Sequence, residues 1–89
     1  MNKKLKLTPS EKAIIRELIF VESFQHLLEE TGLDYGTIRD DLITLINHQM
    51  VEVMDLENGR TASPFYDSDN IRQFSFQATK SGLKMIQES

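Results

Sequence analysis

Residues 23–51 read SFQHLLEETGLDYGTIRDDLITLINHQMV, and this stretch decides the fold. Its second half has the clearest helical period in the chain, with apolar residues at i, i+4, i+7 and i+8 on one face. Asp34 precedes this helix and is expected to cap it, because a carboxylate is favourable at the positive helix end. The apolar stripe consists of Ile38, Leu42, Leu45 and Ile46.

A shorter helix precedes this one in the same stretch. Ser23 is expected to cap it, and its stripe of Phe24, Leu27 and Leu28 is expected to be buried. Gly32 should end it, because glycine tolerates the left-handed conformation that follows a helix. Two helices joined by a short turn with glycine form a helix-turn-helix, a motif that presents its second helix to DNA.

A first helix is predicted upstream, over about residues 9–21. Thr8 and Glu11 fit a capping box, and Pro9 suits the first helical position. Residues 1–7 are expected to form a flexible basic tail. The apolar face of this first helix comprises Ala13, Ile14, Leu18 and Val21, widened by Ile15 and Ile19.

The segment after the motif is predicted to be a β-hairpin followed by a helix. Val51 and Val53 alternate with Glu52, as expected of a strand, and a second strand is predicted from about Ile71 to Ala78. The resulting order is α-α-α-β-β-α, which is mainly α with a small β-hairpin. The predicted parts of the single domain at 8–89 are the helix-turn-helix (23–50), the wing (51–78) and a last helix (79–87) capped by Thr79.

This order resembles the winged helix-turn-helix, and the local residues agree with it. LLEETGLDYGTIRDDLITLINHQMV is similar to the pattern L-A-x-x-T-G-L-S-x-x-T-V-x-x-x-L-x-x-L-x-x-x-G-L-V of bacterial and archaeal winged-helix regulators. FQATKSGLKMI is similar to the F/Y-x-L-T-x-x-G-x-x-x-L segment of MarR-like and PadR-like regulators. The resemblance implies a three-helix core plus wing and a dimeric, DNA-binding transcriptional regulator. Matching positions are Thr31, Gly32, Leu33, Thr37, Ile38, Leu42, Leu45, Val51, Phe76, Thr79, Gly82 and Ile86.

The chain departs from the family pattern in two places. Gln49 stands where a glycine usually ends the recognition helix. The outward face of that helix, usually rich in Ser, Arg and Lys, carries acids, and Asp40 lies near its middle. A carboxylate there would repel the phosphates that line the major groove.

The candidate DNA-binding residues follow from the outward arc of the second helix of the motif. Thr37, Thr44 and Asn47 carry groups that hydrogen-bond base edges or phosphates, and Arg39, at the edge of the arc, suits a phosphate or a guanine. Ile43 lies at the same edge. The predicted DNA-binding set is Tyr35, Thr37, Arg39, Thr44 and Asn47, with Arg60 at the wing tip.

The charge balance keeps a second function open. The net charge is −4, with ten basic and fourteen acidic residues, and Lys3, Lys4 and Lys6 all lie in the expected tail. A DNA-binding domain usually shows the opposite balance. The alternative is a protein-interaction module that has lost DNA binding and whose partner would touch Asp40 and Ile43.

Other chemistry finds little support in the sequence. The absence of cysteine excludes disulfides and thiolate metal sites. His26 and Glu30 are four residues apart, but no second histidine lies nearby, so no metal site is expected. There is no nucleophile motif or phosphate-binding glycine loop, so we expect neither an enzyme nor a bound cofactor. No apolar run approaches the roughly 20 residues that span a bilayer, and a cytoplasmic protein without a membrane partner is expected.

Overall fold

A computed structural model describes the backbone of residues 6–55, 61–63 and 68–87, and the side chains of residues 6–54 and 70–87. The described chain is mainly helical, with a small antiparallel sheet. A 3-10 segment, Ser68–Gln73, precedes the last strand. The helices and strands are α1 (Pro9–Glu17), β1 (Glu22–Ser23), α2 (Phe24–Thr31), α3 (Tyr35–Asn47), β2 (Val51–Asp55), β3 (Thr61–Ser63), β4 (Ser75–Ala78) and α4 (Lys80–Gln87).

The sheet has the strand order β1-β4-β2-β3, and its paired strands are antiparallel. Val51 pairs with Ala78 and Val53 with Phe76, and all four side chains are buried. Glu52, which points to the opposite face, is half-buried. The alternation predicted for Val51, Glu52 and Val53 is therefore confirmed.

One apolar core joins the helices to the buried face of the sheet. The predicted stripe of α3 is confirmed, because three of its four residues are at most 1% exposed and Ile46 packs at the margin. The core comprises Ile14, Ile15, Leu18, Phe24, Leu27, Ile38, Leu42, Leu45, Met50, Val51, Val53, Ile71, Phe76 and Ala78.

The predicted helix caps are also confirmed. Thr8 and Glu11 form a reciprocal capping box, with the Thr8 N–H donating to Glu11 Oε1 at 2.9 Å. Ser23 Oγ accepts from the His26 N–H at 3.1 Å, and α2 ends at Gly32 with φ of 74°. Each cap contact joins residues close together in the sequence, so the ends of these helices are set by local residues.

The predicted extent of the first helix is wrong. α1 ends at Glu17, not near residue 21, and Ile19 is 50% exposed instead of widening the apolar face. The Leu18 carbonyl accepts from the Ala78 N–H at 2.8 Å, at the end of β4. Glu22–Ser23 then forms a strand on the edge of the sheet. Pairing with β4 therefore overrides the helical pattern of a segment rich in β-branched residues.

The predicted second wing strand also begins too early. β4 starts at Ser75, whereas Ile71 lies in the 3-10 segment and is fully buried. That buried side chain holds the segment against α2 and α3, so this backbone does not join the sheet. Thr61–Ser63, which pairs with β2, was not anticipated.

Helix α3 ends in a Schellman motif built on a non-glycine residue. The Gln49 N–H donates to the Ile46 carbonyl at 2.9 Å, and the Met50 N–H donates to the Leu45 carbonyl at 2.8 Å. Gln49 has φ of 62°, the left-handed conformation that usually selects glycine. The departure from the family pattern at this position therefore changes the residue and keeps the geometry.

Helix α4 is fastened to the same turn. The Thr79 hydroxyl donates to the Gln49 carbonyl at 2.8 Å and accepts from the Gly82 N–H at 3.1 Å. The Thr79 N–H donates to the Met50 carbonyl at 2.9 Å. A Cβ on Gly82 would lie 2.2 Å from that same carbonyl oxygen, so α4 approaches this turn closer than any side chain permits. The threonine and glycine of TKSG therefore have a structural explanation.

The close approach of α4 to the turn predicts that glycine-to-alanine substitutions at Gly82 and Gly36 change stability in opposite directions. Gly82→Ala should lower the free energy of unfolding by about 2 kcal/mol, because the added Cβ meets backbone. Gly36→Ala is the matched control, since its Cβ meets only Asp34 Oδ1 at 3.9 Å, and it should raise stability by about 0.5–1 kcal/mol. Urea unfolding measures both, and equal effects would contradict the proposed packing.

The left-handed turn predicts a stabilising substitution. Gln49→Gly should raise the free energy of unfolding by about 0.5–1 kcal/mol, because the relief of backbone strain exceeds the entropy cost of glycine. Gln49→Ala keeps a Cβ and should be nearly neutral. Thermal unfolding followed by circular dichroism compares the two, and a glycine variant less stable than the alanine variant would refute the expectation.

Candidate nucleic-acid interface

The outward face of α3 is exposed, as its helical period predicts. Gly36, Asp40, Thr44 and Asn47 are exposed, and Thr37 is half-buried. Arg39 and Ile43, predicted at the edge of the arc, are half-buried. The opposite face forms part of the core. Helix α3 therefore carries a solvent-facing row of hydrogen-bonding groups on a rigidly packed support.

Asp34 is committed to starting α3. Its Oδ1 accepts from the Thr37 N–H at 2.8 Å. Hydrogen bonds from the backbone and the side chain of Thr37 lower the pKa of this carboxyl. The negative charge of Asp34 therefore interacts with the positive N-terminal end of α3 and stabilises its first turn.

Asp40, near the middle of the outward face of α3, contacts Arg39 at the edge of that face. Arg39 Nη1 lies 3.4 Å from Asp40 Oδ1, in a long, exposed ion pair. The Asp40 side chain is 76% exposed and that of Arg39 is 31% exposed. Such a pair contributes little to stability, but it offsets the positive charge that Arg39 would offer a phosphate.

A third acid, Asp41, faces α1 instead of solvent. Its Oδ2 accepts a 2.6 Å hydrogen bond from the Ser10 hydroxyl, which joins α3 to α1. Burial raises the pKa of Asp41, and the charges of Glu11 and Asp40 act in the same direction, while the Ser10 hydrogen bond opposes them. Asp41 is therefore a packing contact and not part of the outward face.

Tyr35, at the start of α3, contacts the aromatic ring of Phe24 and the guanidinium of Arg72. Its ring centroid is 5.4 Å from that of Phe24, with the planes tilted by 45°. The Arg72 guanidinium carbon lies 5.5 Å from the same ring. The phenol is 38% exposed, so its predicted contact with DNA stays a prediction, while its ring already has a structural role.

The other predicted site residues divide by position. Thr37, Arg39, Thr44 and Asn47 lie together along α3, whereas Arg60 lies outside the described residues. The contact of Arg72 with Tyr35 was not foreseen. The sequence had placed Arg72 on the second wing strand, and no local pattern links it to a residue so far upstream.

The described residues meet neither the requirements of a metal site nor those of a membrane-spanning helix. Within them, no group of three His, Cys, Asp or Glu side chains is arranged to hold a metal ion. His26 instead joins α2 to neighbouring elements, with Nε2 3.0 Å from Glu17 Oε1 and Nδ1 3.6 Å from Glu22 Oε1. No described helix has the length and apolar character needed to cross a bilayer.

No protein-family model, curated protein or solved structure matches the chain.

The environment of Asp41 predicts that Asp41→Asn raises the free energy of unfolding by an amount that depends on pH. The raised pKa means that the folded state disfavours the carboxylate, and this penalty disappears as pH falls through the folded pKa. The variant should be more stable than wild type at pH 7, by about 0.5 kcal/mol or less because solvent screens the group. The difference should shrink on acidification. Asp41→Ala also removes the acceptor for the Ser10 hydroxyl, so it should raise stability less than Asp41→Asn does. Urea unfolding at pH 7 and pH 3 tests this, and a constant difference would contradict it.

Proposed function

We propose that this chain is a winged-helix DNA-binding protein that regulates transcription as a dimer, with α3 as its recognition helix. The observation that carries the proposal is the exposed face of α3, where Thr37, Thr44 and Asn47 follow one another on a helix anchored in the core. A helix of 13 residues is roughly 20 Å long, which suits docking in a major groove about 12 Å wide. The hydroxyl and amide groups of the three residues suit base edges and phosphates.

The order of elements supports the same proposal. An antiparallel pair, β2 and β4, follows α3 directly, and α4 packs against the turn between α3 and β2. The short strand β1 completes the sheet beside β4. This arrangement is compatible with a winged helix and gives α3 a fixed orientation relative to β2 and β4.

The proposed dimer follows from the number of recognition helices. One chain offers a single α3, whereas two-fold dimers of such domains read paired half-sites on DNA. Helix α4 offers half-buried apolar side chains for self-association, namely Leu83, Met85 and Ile86. A light-scattering mass equal to twice the chain mass is expected for the protein without DNA.

A second candidate function is binding of a basic protein segment at the same face. It is favoured by the Arg39–Asp40 contact, in which an exposed carboxylate offsets the positive charge of its neighbour on the recognition helix. Half-buried Ile43 adds apolar area beside that carboxylate. The two candidates require opposite roles of Asp40, which would repel DNA but attract a cationic partner.

Titration with random duplex DNA at low salt tests the proposal. Wild type should bind, Arg39→Ala should bind more weakly, and Asp40→Asn should bind several-fold more tightly because it frees Arg39 and removes repulsion. Fluorescence anisotropy of labelled DNA measures these affinities. Arg16→Gln removes an exposed guanidinium from α1 instead of α3 and serves as the control. Absence of wild-type binding would overturn the DNA proposal and leave the protein-binding candidate.

A further inference from the structure

The 3-10 segment before β4 carries an exposed arginine whose position is fixed by its neighbour. Ile71 is fully buried and packs in the core beside α2 and α3. Arg72 follows it directly and is exposed. The buried anchor therefore sets where the arginine backbone lies relative to the start of α3.

The guanidinium of Arg72 rests against an aromatic ring that is itself held in place. Its Cζ is 5.5 Å from the Tyr35 centroid, a distance at which the ring quadrupole attracts a cation. Tyr35 in turn packs on Phe24, which is 1% exposed. This support restricts the planar group and lowers the entropy that it would lose on binding a ligand.

The donors of this guanidinium have no acidic partner among the described side chains, since the ion pairs there involve other residues. A guanidinium held over a ring still has N–H groups along its edge, and such groups match two oxygens of a phosphate. Arg39 differs, because its guanidinium contacts Asp40. Within the described part of the site, Arg72 is therefore the cation better prepared to meet an anion.

Arg72 lies beside the N-terminal end of the recognition helix, because it contacts Tyr35. Tyr35 is the first residue of α3, and Arg39 lies one turn further along the same helix. A phosphate beside Arg72 would thus lie next to the end of α3 that carries Thr37. A backbone phosphate flanking the bases under α3 fits this position, and a contact of this kind fixes register without reading sequence.

We propose that Arg72 is a phosphate-binding residue of the DNA interface and that Tyr35 is the positioning residue that holds it. This inference rests on the proposed DNA binding. It assigns Tyr35 a role behind the interface and adds a cation from outside the helix-turn-helix. Arg72 should contribute affinity equally to all sequences, because it contacts the sugar-phosphate backbone and no base.

The first part of the test needs no DNA. In a spectrum of the arginine Nε–H groups, the Arg72 signal should show a ring-current shift that Tyr35→Leu abolishes and Tyr35→Phe retains. An Arg72 signal that is the same in wild type and Tyr35→Leu would show that the contact between Arg72 and Tyr35 does not form in solution, and it would overturn the role assigned to Tyr35.

The second part measures how affinity for random duplex DNA depends on salt concentration. Arg72→Gln should weaken binding and reduce the slope of log K against log salt by about 0.9, the value for one lost phosphate contact. Arg72→Lys should keep the slope but bind less tightly than wild type. Tyr35→Leu should also keep the slope and weaken binding, with Tyr35→Phe close to wild type.

Arg16→Gln is the matched control, because it removes another exposed guanidinium, one that lies on α1 and not in the 3-10 segment. A slope unchanged by Arg72→Gln while wild type binds would overturn the inference and leave the proposed function standing. A wild-type protein that does not bind DNA at low salt would overturn both. Melting temperatures of all variants separate a binding loss from a folding loss, because a purely structural role would lower stability without changing the slope.

Discussion

The turn between α3 and β2 is the constraint on which the rest of the structure depends. Gln49 takes a left-handed conformation there, its carbonyl accepts from Thr79, and the Met50 carbonyl lies where only a glycine, Gly82, fits against it. One short segment thus ends α3, starts β2 and positions α4. Because these elements share one joint, the direction of α3 relative to the hairpin is set by backbone contacts, and its polar face is left to solvent.

The same geometry explains why fold and function are separate questions in this chain. Packing and capping hold α3 firmly with its hydroxyl and amide groups outward, and the chemistry of those groups determines which partner α3 could bind. Asp40 offsets the charge of Arg39 at the centre of that surface. Arg72 supplies an exposed guanidinium at one end of it, supported by Tyr35. Under the proposed DNA binding, this guanidinium would contact the sugar-phosphate backbone and position the duplex before its bases are read.

The features predictable from sequence are those whose partners are close along the chain. The caps and the α3 stripe depend on residues three to eight positions apart, so their spacing reveals them. The strand Glu22–Ser23 exists because its backbone pairs with Phe76 and Ser75, and a helical pattern cannot reveal a distant partner. The contact between Tyr35 and Arg72 was missed for the same reason. The four polar and charged site residues on α3 were predictable as a group, because one helix holds them together.

The most direct test of the central claim, that the outward face of α3 docks DNA, is an amide NMR titration with a short random duplex at low salt. The predicted result is that shifts concentrate on Thr37, Thr44 and Asn47 and at Arg72, with α4 unaffected. The claim would be contradicted if the shifts clustered on another surface, such as the exposed turn at Ile19 and Phe20, or if saturating DNA left the α3 resonances unchanged.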